Sequence, residues 1–130
     1  MKKRVLVGMT ALLLSLSLLM AQEILAGVIT AFKRGSSQEL SKYMGDKVNL
    51  VLQGRSTNVD KQKAMATMQE FFTENKVSGF NVNHQGKRDE SSFVIGTLAT
   101  TKGNFRVNCF LKKVQDKCLI HQIRIDKINE

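Results

Sequence analysis

The fold is decided by residues 91–127, SSFVIGTLATTKGNFRVNCFLKKVQDKCLIHQIRIDK. Apolar and polar residues alternate along this stretch, and a period of two is typical of strands with one buried face. The pattern predicts three strands: Phe93 to Thr100, Phe105 to Leu111 and Cys118 to Ile125. Tight turns at Lys102-Gly103 and Gln115-Asp116 would join them, and such short connections make neighbouring strands antiparallel. We therefore expect an antiparallel meander.

The two turns also set the expected register, in which Leu98 faces Val107 and Leu111 faces Ile120. One face of the sheet is then nearly all apolar and should receive the helices; it holds Val94, Leu98, Phe105, Val107, Cys109, Leu111, Cys118 and Ile120. The opposite face carries a second apolar group among polar neighbours, namely Phe93, Ile95, Phe110 and Leu119. Because exposed apolar clusters often mark interfaces, these four are the predicted interface residues.

The last strand contains a change of phase. Its apolar residues switch parity after Ile120, so Ile123 and Ile125 can face the core only if one extra residue is present. We therefore predict a β-bulge near His121-Gln122. Without the bulge, three polar side chains would point inward and could build a polar pocket: Gln122, Arg124 and Asp126. Burying Arg and Asp is costly unless each is paired, so we favour a dry interior.

The chain before these strands has helical periodicity. Apolar residues recur at helical spacing from about Gln22 to Arg34, and Ser36 with Glu39 matches the capping box of a short second helix. Asp60 is the expected N-cap of a third helix, whose apolar stripe is Ala64, Met65, Met68, Phe71 and Phe72. Helices followed by a run of strands imply an α+β domain with three N-terminal helices packed on one face of the sheet.

The first 21 residues have the order of a secretory signal peptide. A positive start is followed by the uncharged, Leu-rich run Val5 to Met20 and by Ala21, a small residue suited to cleavage. The run is shorter than the roughly 20 apolar residues that comfortably span a bilayer, although an uncleaved anchor helix is the alternative. We expect a signal peptide over 1–21, a single domain over 22–130, a periplasmic or secreted location, and no stable membrane span after cleavage.

Composition and motifs narrow the function. The formal charge is +9, but export makes nucleic acid an improbable partner for it. The glycines are dispersed, so no phosphate or dinucleotide loop exists, and His84 and His121 lack metal-ligand spacing on one element. Cys109 and Cys118 would lie about 13 Å apart in the expected register, which favours free thiols over a disulfide. We expect no catalytic residue, metal or cofactor.

The terminal strands carry a resemblance to a known group of proteins. With helices before it, the ending Phe110-Leu111-Lys112-Lys113 … Cys118-Leu119-Ile120-His121-Gln122-Ile123-Arg124-Ile125 resembles the nuclear transport factor 2-like (SnoaL-like) superfamily, and within it an uncharacterised family of small exported proteins of Gram-negative bacteria. The resemblance covers residues 22 to 128. It implies a cone of three helices against a curved sheet, frequently dimerising through the sheet. Cys118 stands where relatives often carry a large aromatic residue, and a cystatin-like roll is the alternative architecture.

These observations favour an exported, non-enzymatic binding or assembly module that acts through the outer sheet face or the cone cavity. Its expected partners are a second copy bound through the sheet face or a small apolar ligand. The residues that would line a cavity for that ligand are Met65, Met68, Phe72 and Leu98. The alternative is an isomerase or dehydratase with acid–base residues in the cone, drawn from Tyr43, Asp46, Gln122, Arg124 and Asp126.

Overall fold

The chain folds as helices followed by a six-stranded sheet, with one hairpin inserted between the second and third helices. The structure is a computed structural model that describes residues 23–129, so the segment 1–21 and its predicted cleavage lie outside the described residues. Helix α1 spans 23–34. The remaining elements are α2 Ser37–Ser41, β1 Met44–Leu52, β2 Arg55–Asp60, α3 Lys61–Glu74, β3 Val77–Arg88, β4 Ser91–Thr100, β5 Gly103–Val114 and β6 Lys117–Lys127.

The sheet has the strand order β2-β1-β6-β5-β4-β3. Strands β4 to β6 form the predicted antiparallel meander, and β3 extends it by pairing antiparallel with β4. Strand β1 pairs with β2 in an antiparallel hairpin. The β1–β6 pair that joins these two parts is parallel, since a long crossover separates the two strands in sequence and no tight turn forces them to run in opposite directions. The α+β class and the three helices are confirmed; β2 and the parallel pair were not predicted.

Both predicted helix caps are present. The Ser36 hydroxyl accepts a hydrogen bond from the Glu39 amide at 3.1 Å, and the Asp60 carboxylate accepts one from the Lys63 amide at 2.8 Å. Gly35 ends α1 with a φ of 60°, the left-handed conformation that glycine adopts at low cost. Local capping chemistry therefore places α2 and α3 where the sequence pattern predicted them.

The turn between β4 and β5 lies one residue earlier than predicted, at Thr101-Lys102, and this moves the pairing of the two strands by two residues. Thr100 pairs with Gly103, so Leu98 faces Phe105 and not Val107. The Thr100 hydroxyl donates a hydrogen bond to the Gly103 carbonyl oxygen at 2.7 Å across this turn. Because the shift is even, every side chain keeps its face. The predicted buried face is therefore correct although the predicted turn at Lys102-Gly103 was wrong.

The hairpin of β5 and β6 and the bulge in β6 agree with the prediction. Leu111 pairs with Ile120 across the turn, whereas the next outer pair joins Phe110 to Gln122. His121 is thus the extra residue in β6, as expected for a bulge. Beyond it Ile123 and Ile125 are fully buried.

The core lies between the helices and the inner sheet face. Phe32 of α1 stands at its centre, with ring centroids 6.4 Å from Phe72 and 5.2 Å from Phe80. Tilted and edge-on arrangements of this kind are the favoured ones for aromatic pairs. Within residues 23–129 every buried side-chain N or O atom has a hydrogen-bond partner. The core of the described chain is therefore made mainly of apolar side chains, and the polar groups buried in it are hydrogen-bonded.

Candidate functional site

The four predicted interface residues lie together on the outer face of the sheet, opposite the helices. Phe93 on β4 is directly paired with Phe110 on β5, and Ile95 follows Phe93 on the same face. Leu119 is paired with Lys112 at the other side of β5. Each of the four apolar side chains is half-buried. We call these four residues the outer-face patch.

Two residues of the edge strand β3 complete this patch, and the sequence pattern did not indicate them. The His84 ring lies 5.2 Å from the Phe93 ring. Gly86 pairs with Phe93, and a Cβ added at Gly86 would lie 3.1 Å from the ring, so the missing side chain lets the ring lie against β3. A register shift between Val82 and His84 turns His84 to the outer face. Only the pairing of β3 with β4 shows this shift.

Polar side chains flank the patch on the neighbouring strands. Gln122 pairs with Phe110, and Asn108 pairs with Ile95 on one side and with Arg124 on the other. Cross-strand partners stand side by side on one face of a sheet. The outer face therefore has an apolar half on β4 and β5 and a polar half that begins on β6.

The residues considered for acid–base chemistry are not brought together in the cone. Arg124 forms an ion pair with Asp126 at 2.8 Å on the outer face, where their side chains are 52% and 37% exposed. Asp46 is exposed, and Tyr43 packs against Gly27 of α1. The two carboxylates of this set therefore lie at the surface and away from the interior of the cone.

Three of the four predicted cavity residues, Met68, Phe72 and Leu98, belong to the packed core. Met68, Phe72 and Leu98 are 0%, 5% and 0% exposed, and Met65 is half-buried. Phe72 packs edge-on against Phe71 with ring centroids 5.8 Å apart. Met68 and Phe72 of α3 and Leu98 of β4 are therefore parts of one hydrophobic core cluster.

Both cysteines are free thiols, as predicted. Cys109 is fully buried and pairs with Ile123, one residue beyond the expected Gln122 because the bulge shifts the register. Burial raises the pKa of the Cys109 thiol, which makes it unreactive. Cys118 is only half-buried and donates weakly to the Ser92 hydroxyl at 3.7 Å. Its expected burial was wrong because the hairpin extends beyond the helices at this end of the sheet.

The described residues show neither a metal site nor a spanning helix. No group of three or more His, Cys, Asp or Glu among residues 23–129 is arranged to hold a metal ion. Within the same range no helix is long and apolar enough to cross a membrane.

The pKa of His121 lies below its usual value because burial, and then the charge of Lys112, disfavour the imidazolium form.

The fold of the described chain is shared with solved structures of very different sequence. A nuclear transport factor 2-like design has a TM-score of 0.60 at 11% identity, covering 82% of this chain and 96% of that chain. A domain of unknown function with a cystatin-like fold from Nostoc punctiforme has a TM-score of 0.64 at 10% identity, covering 85% and 76%. Both expected architectures therefore describe the fold.

Closer similarity identifies the family. A search of the curated proteins found no match. The chain is 92% identical to a DUF4783 family protein from Bacteroides ovatus with a crystal structure, with a TM-score of 0.79, over 81% of this chain and 96% of that chain. The family model described as Domain of unknown function (DUF4783) matches residues 25–126. This chain therefore belongs to the DUF4783 family.

Proposed function

We propose that the chain is an exported, non-enzymatic binding module that assembles as a homodimer through the outer-face patch. The observation that carries this proposal is the direct pairing of Phe93 with Phe110 on the sheet face opposite the helices of residues 23–129. Aromatic side chains in such positions retain apolar area that a partner can remove from water. The outer-face patch is therefore the surface on which association would remove the most apolar area from water.

The interior supports binding over catalysis. Fully buried Ile123 and Ile125 occupy the positions where β6 could have sent polar groups into the cone. The charged residues of that strand, Arg124 and Asp126, neutralise each other at the outer surface. Acid–base catalysis requires a titratable group within reach of a bound substrate, and these two charged groups lie on the outer sheet face and not inside the cone.

A second copy of the chain is the partner that the patch fits. Under a two-fold axis the same surface is presented by both protomers, so a face with an apolar centre and a polar rim complements itself. An axis near Phe110 would stack the aromatic residues of the two copies. It would leave Arg106, Lys112 and Arg124 at the rim, where water screens their charges.

Export is supported by the extent of the domain. The family match begins at residue 25, shortly after the expected cleavage that follows Ala21. The Leu-rich run before Ala21 thus precedes the matched domain, as a signal peptide does. Measuring the mass of the protein recovered from the envelope fraction of cells expressing the full chain tests this part, since an uncleaved N-terminus would contradict it.

Sedimentation analysis of the purified protein tests the dimer. We expect the unaltered protein to sediment as a dimer and Phe110→Glu as a folded monomer, because the carboxylate would be buried against a second carboxylate at the interface. Thr101→Glu, in the exposed β4–β5 turn, is the matched control and should remain dimeric. Ile95→Gln provides a milder test should Phe110→Glu not fold. A monomeric unaltered protein, or a dimer that survives both patch variants, would refute the proposal.

A further inference from the structure

Two hairpins project beyond the helices at one end of the sheet. Residues 87–91, around the β3–β4 turn, and residues 112–117, around the β5–β6 turn, are all exposed. Side chains alternate between the two faces of a strand, so exposure of every residue means that neither face of these hairpins is covered. Cys118 and Ser92 mark where burial begins again. We call residues 87–91 and 112–117 the hairpin tip.

The two hairpins form one projection. The Lys113 amide donates a hydrogen bond to the Glu90 carbonyl oxygen at 2.9 Å and joins the two turns. Lys112 also pairs with Ser91 within the sheet. The hairpin tip is therefore held by backbone hydrogen bonds, and the positions of its side chains relative to one another are set by the sheet.

The hairpin tip is basic. It carries three acidic residues, Asp89, Glu90 and Asp116, against five basic ones, Lys87, Arg88, Lys112, Lys113 and Lys117. The ion pairs found among residues 23–129 lie elsewhere, at Arg34–Glu39 and Arg124–Asp126. The charge of Lys112 contributes to the lowered pKa of the neighbouring His121. The positive charges of the hairpin tip are thus free to bind an anionic partner.

An apolar side chain stands at the apex of this basic projection. Val114 is 50% exposed and is the large hydrophobic residue with the greatest exposure in the described chain. It directly precedes the turn, where Gln115 has a φ of 58°. An exposed apolar residue surrounded by lysines is the arrangement by which proteins dock at the boundary between headgroups and acyl chains. Lysines near such a surface are attracted by the anionic lipids.

We propose that the hairpin tip docks the protein on an anionic phospholipid surface, with Val114 entering the headgroup layer and the lysines contacting lipid phosphates. The tip is convex, narrow and charged on both sides, which suits a deformable headgroup layer better than the broad, flat area that a stable protein interface needs. The hairpin tip adjoins the outer-face patch, since Lys112 pairs with Leu119, and projects beyond it. This inference concerns the attachment of the protein to a lipid surface, and it goes beyond the proposed dimerisation.

Vesicle co-sedimentation tests this inference on protein purified from cells expressing the full chain. We expect binding to vesicles containing phosphatidylglycerol, little binding to pure phosphatidylcholine vesicles, and loss of binding at high salt. Replacing Lys112, Lys113 and Lys117 together by Gln should weaken the affinity roughly 100-fold, since each lysine near an anionic surface contributes about a fivefold factor. Val114→Gln should weaken it several-fold, because it removes the inserted apolar group.

The matched control replaces three exposed lysines at the opposite end of the sheet, Lys76, Lys102 and Lys127, by Gln. It changes the net charge equally and shares the same N-terminal segment, so its binding should stay close to that of the unaltered protein. Equal loss in both triple variants would overturn the proposal, as would equal binding to both vesicle types or no binding at all. Binding to soluble polyglutamate but not to vesicles would overturn it in favour of an acidic polypeptide. Far-ultraviolet circular dichroism of each variant verifies that it is folded.

Discussion

Deleting residues at the β6 bulge tests whether the side chains of β6 beyond the bulge must keep the faces that they now occupy. Removal of His121 alone leaves Gln122 opposite Phe110 and Ile123 opposite Cys109, as they are now, because His121 is the extra residue. Removal of both His121 and Gln122 turns the rest of the strand over, since side chains alternate along it. Two deletions that differ by one residue should therefore have opposite consequences.

The magnitudes follow from burial. In the double deletion Ile123 and Ile125, both fully buried, would turn to water at a cost of about 1.5–3 kcal/mol each. Arg124 and Asp126 would turn inward, and desolvating them costs several kcal/mol more per ion. This sum approaches the whole free energy of unfolding of a small domain, about 5–15 kcal/mol. The single deletion loses only the twist of the bulge, for which we expect about 1–2 kcal/mol.

Urea unfolding followed by circular dichroism measures both variants. We expect a cooperative transition close to that of the unaltered protein when His121 is removed, and no cooperative transition when Gln122 is removed with it. A double deletion that unfolds cooperatively with the stability of the single one would refute the assignment of the isoleucines to the core.

Two further perturbations test local packing and pH dependence. A Cβ at Gly96 would lie 2.5 Å from the Phe80 ring, so Gly96→Ala should lower the free energy of unfolding by about 1–3 kcal/mol. Gly79→Ala is the control and should have no destabilising effect, because nothing lies within 4 Å of the new carbon. Equal effects of the two substitutions in urea unfolding would contradict this. The pKa of His121 lies below its ordinary 6.5 through burial and Lys112, so the unfolded chain binds the proton more readily and stability should fall as the pH drops through the window just below 6.5. NMR titration should show Lys112→Gln raising the His121 pKa, and an unchanged value would disprove the coupling.

Local patterns in the sequence were sufficient for much of the fold and for the outer-face patch. The meander, its buried face and the bulge follow from alternation and from its change of parity after Ile120, and these are properties of neighbouring residues. The starts of α2 and α3 follow from Ser36 and Asp60. Their side chains cap the first turn of each helix, and this does not depend on what the helix packs against. The outer-face patch is found the same way, because a known inner face defines the outer one.

Strand β2 could not be found in this way. Its sequence, RSTNVD, holds a single apolar residue, Val59, and most of the strand is exposed. It exists because β1 offers hydrogen-bonding partners along its free edge, from Val48 opposite Val59 to Leu52 opposite Arg55. The contribution of His84 to the patch was missed for a similar reason, since the irregular pairing of β3 with β4 turns its ring outward.

The sequence by itself determined which way the side chains of β4, β5 and β6 point, and the tertiary structure decided which strands become neighbours. Direction is set by the two-residue period of the backbone, so it survives even the two-residue error in the β4–β5 pairing. Strand pairing joins residues far apart in the chain, as when β1 lies parallel to β6. It requires the closure of long loops, and it competes with other possible pairings. The projection of the basic hairpin tip belongs to the second kind, because it requires knowing where the helices stop covering the sheet.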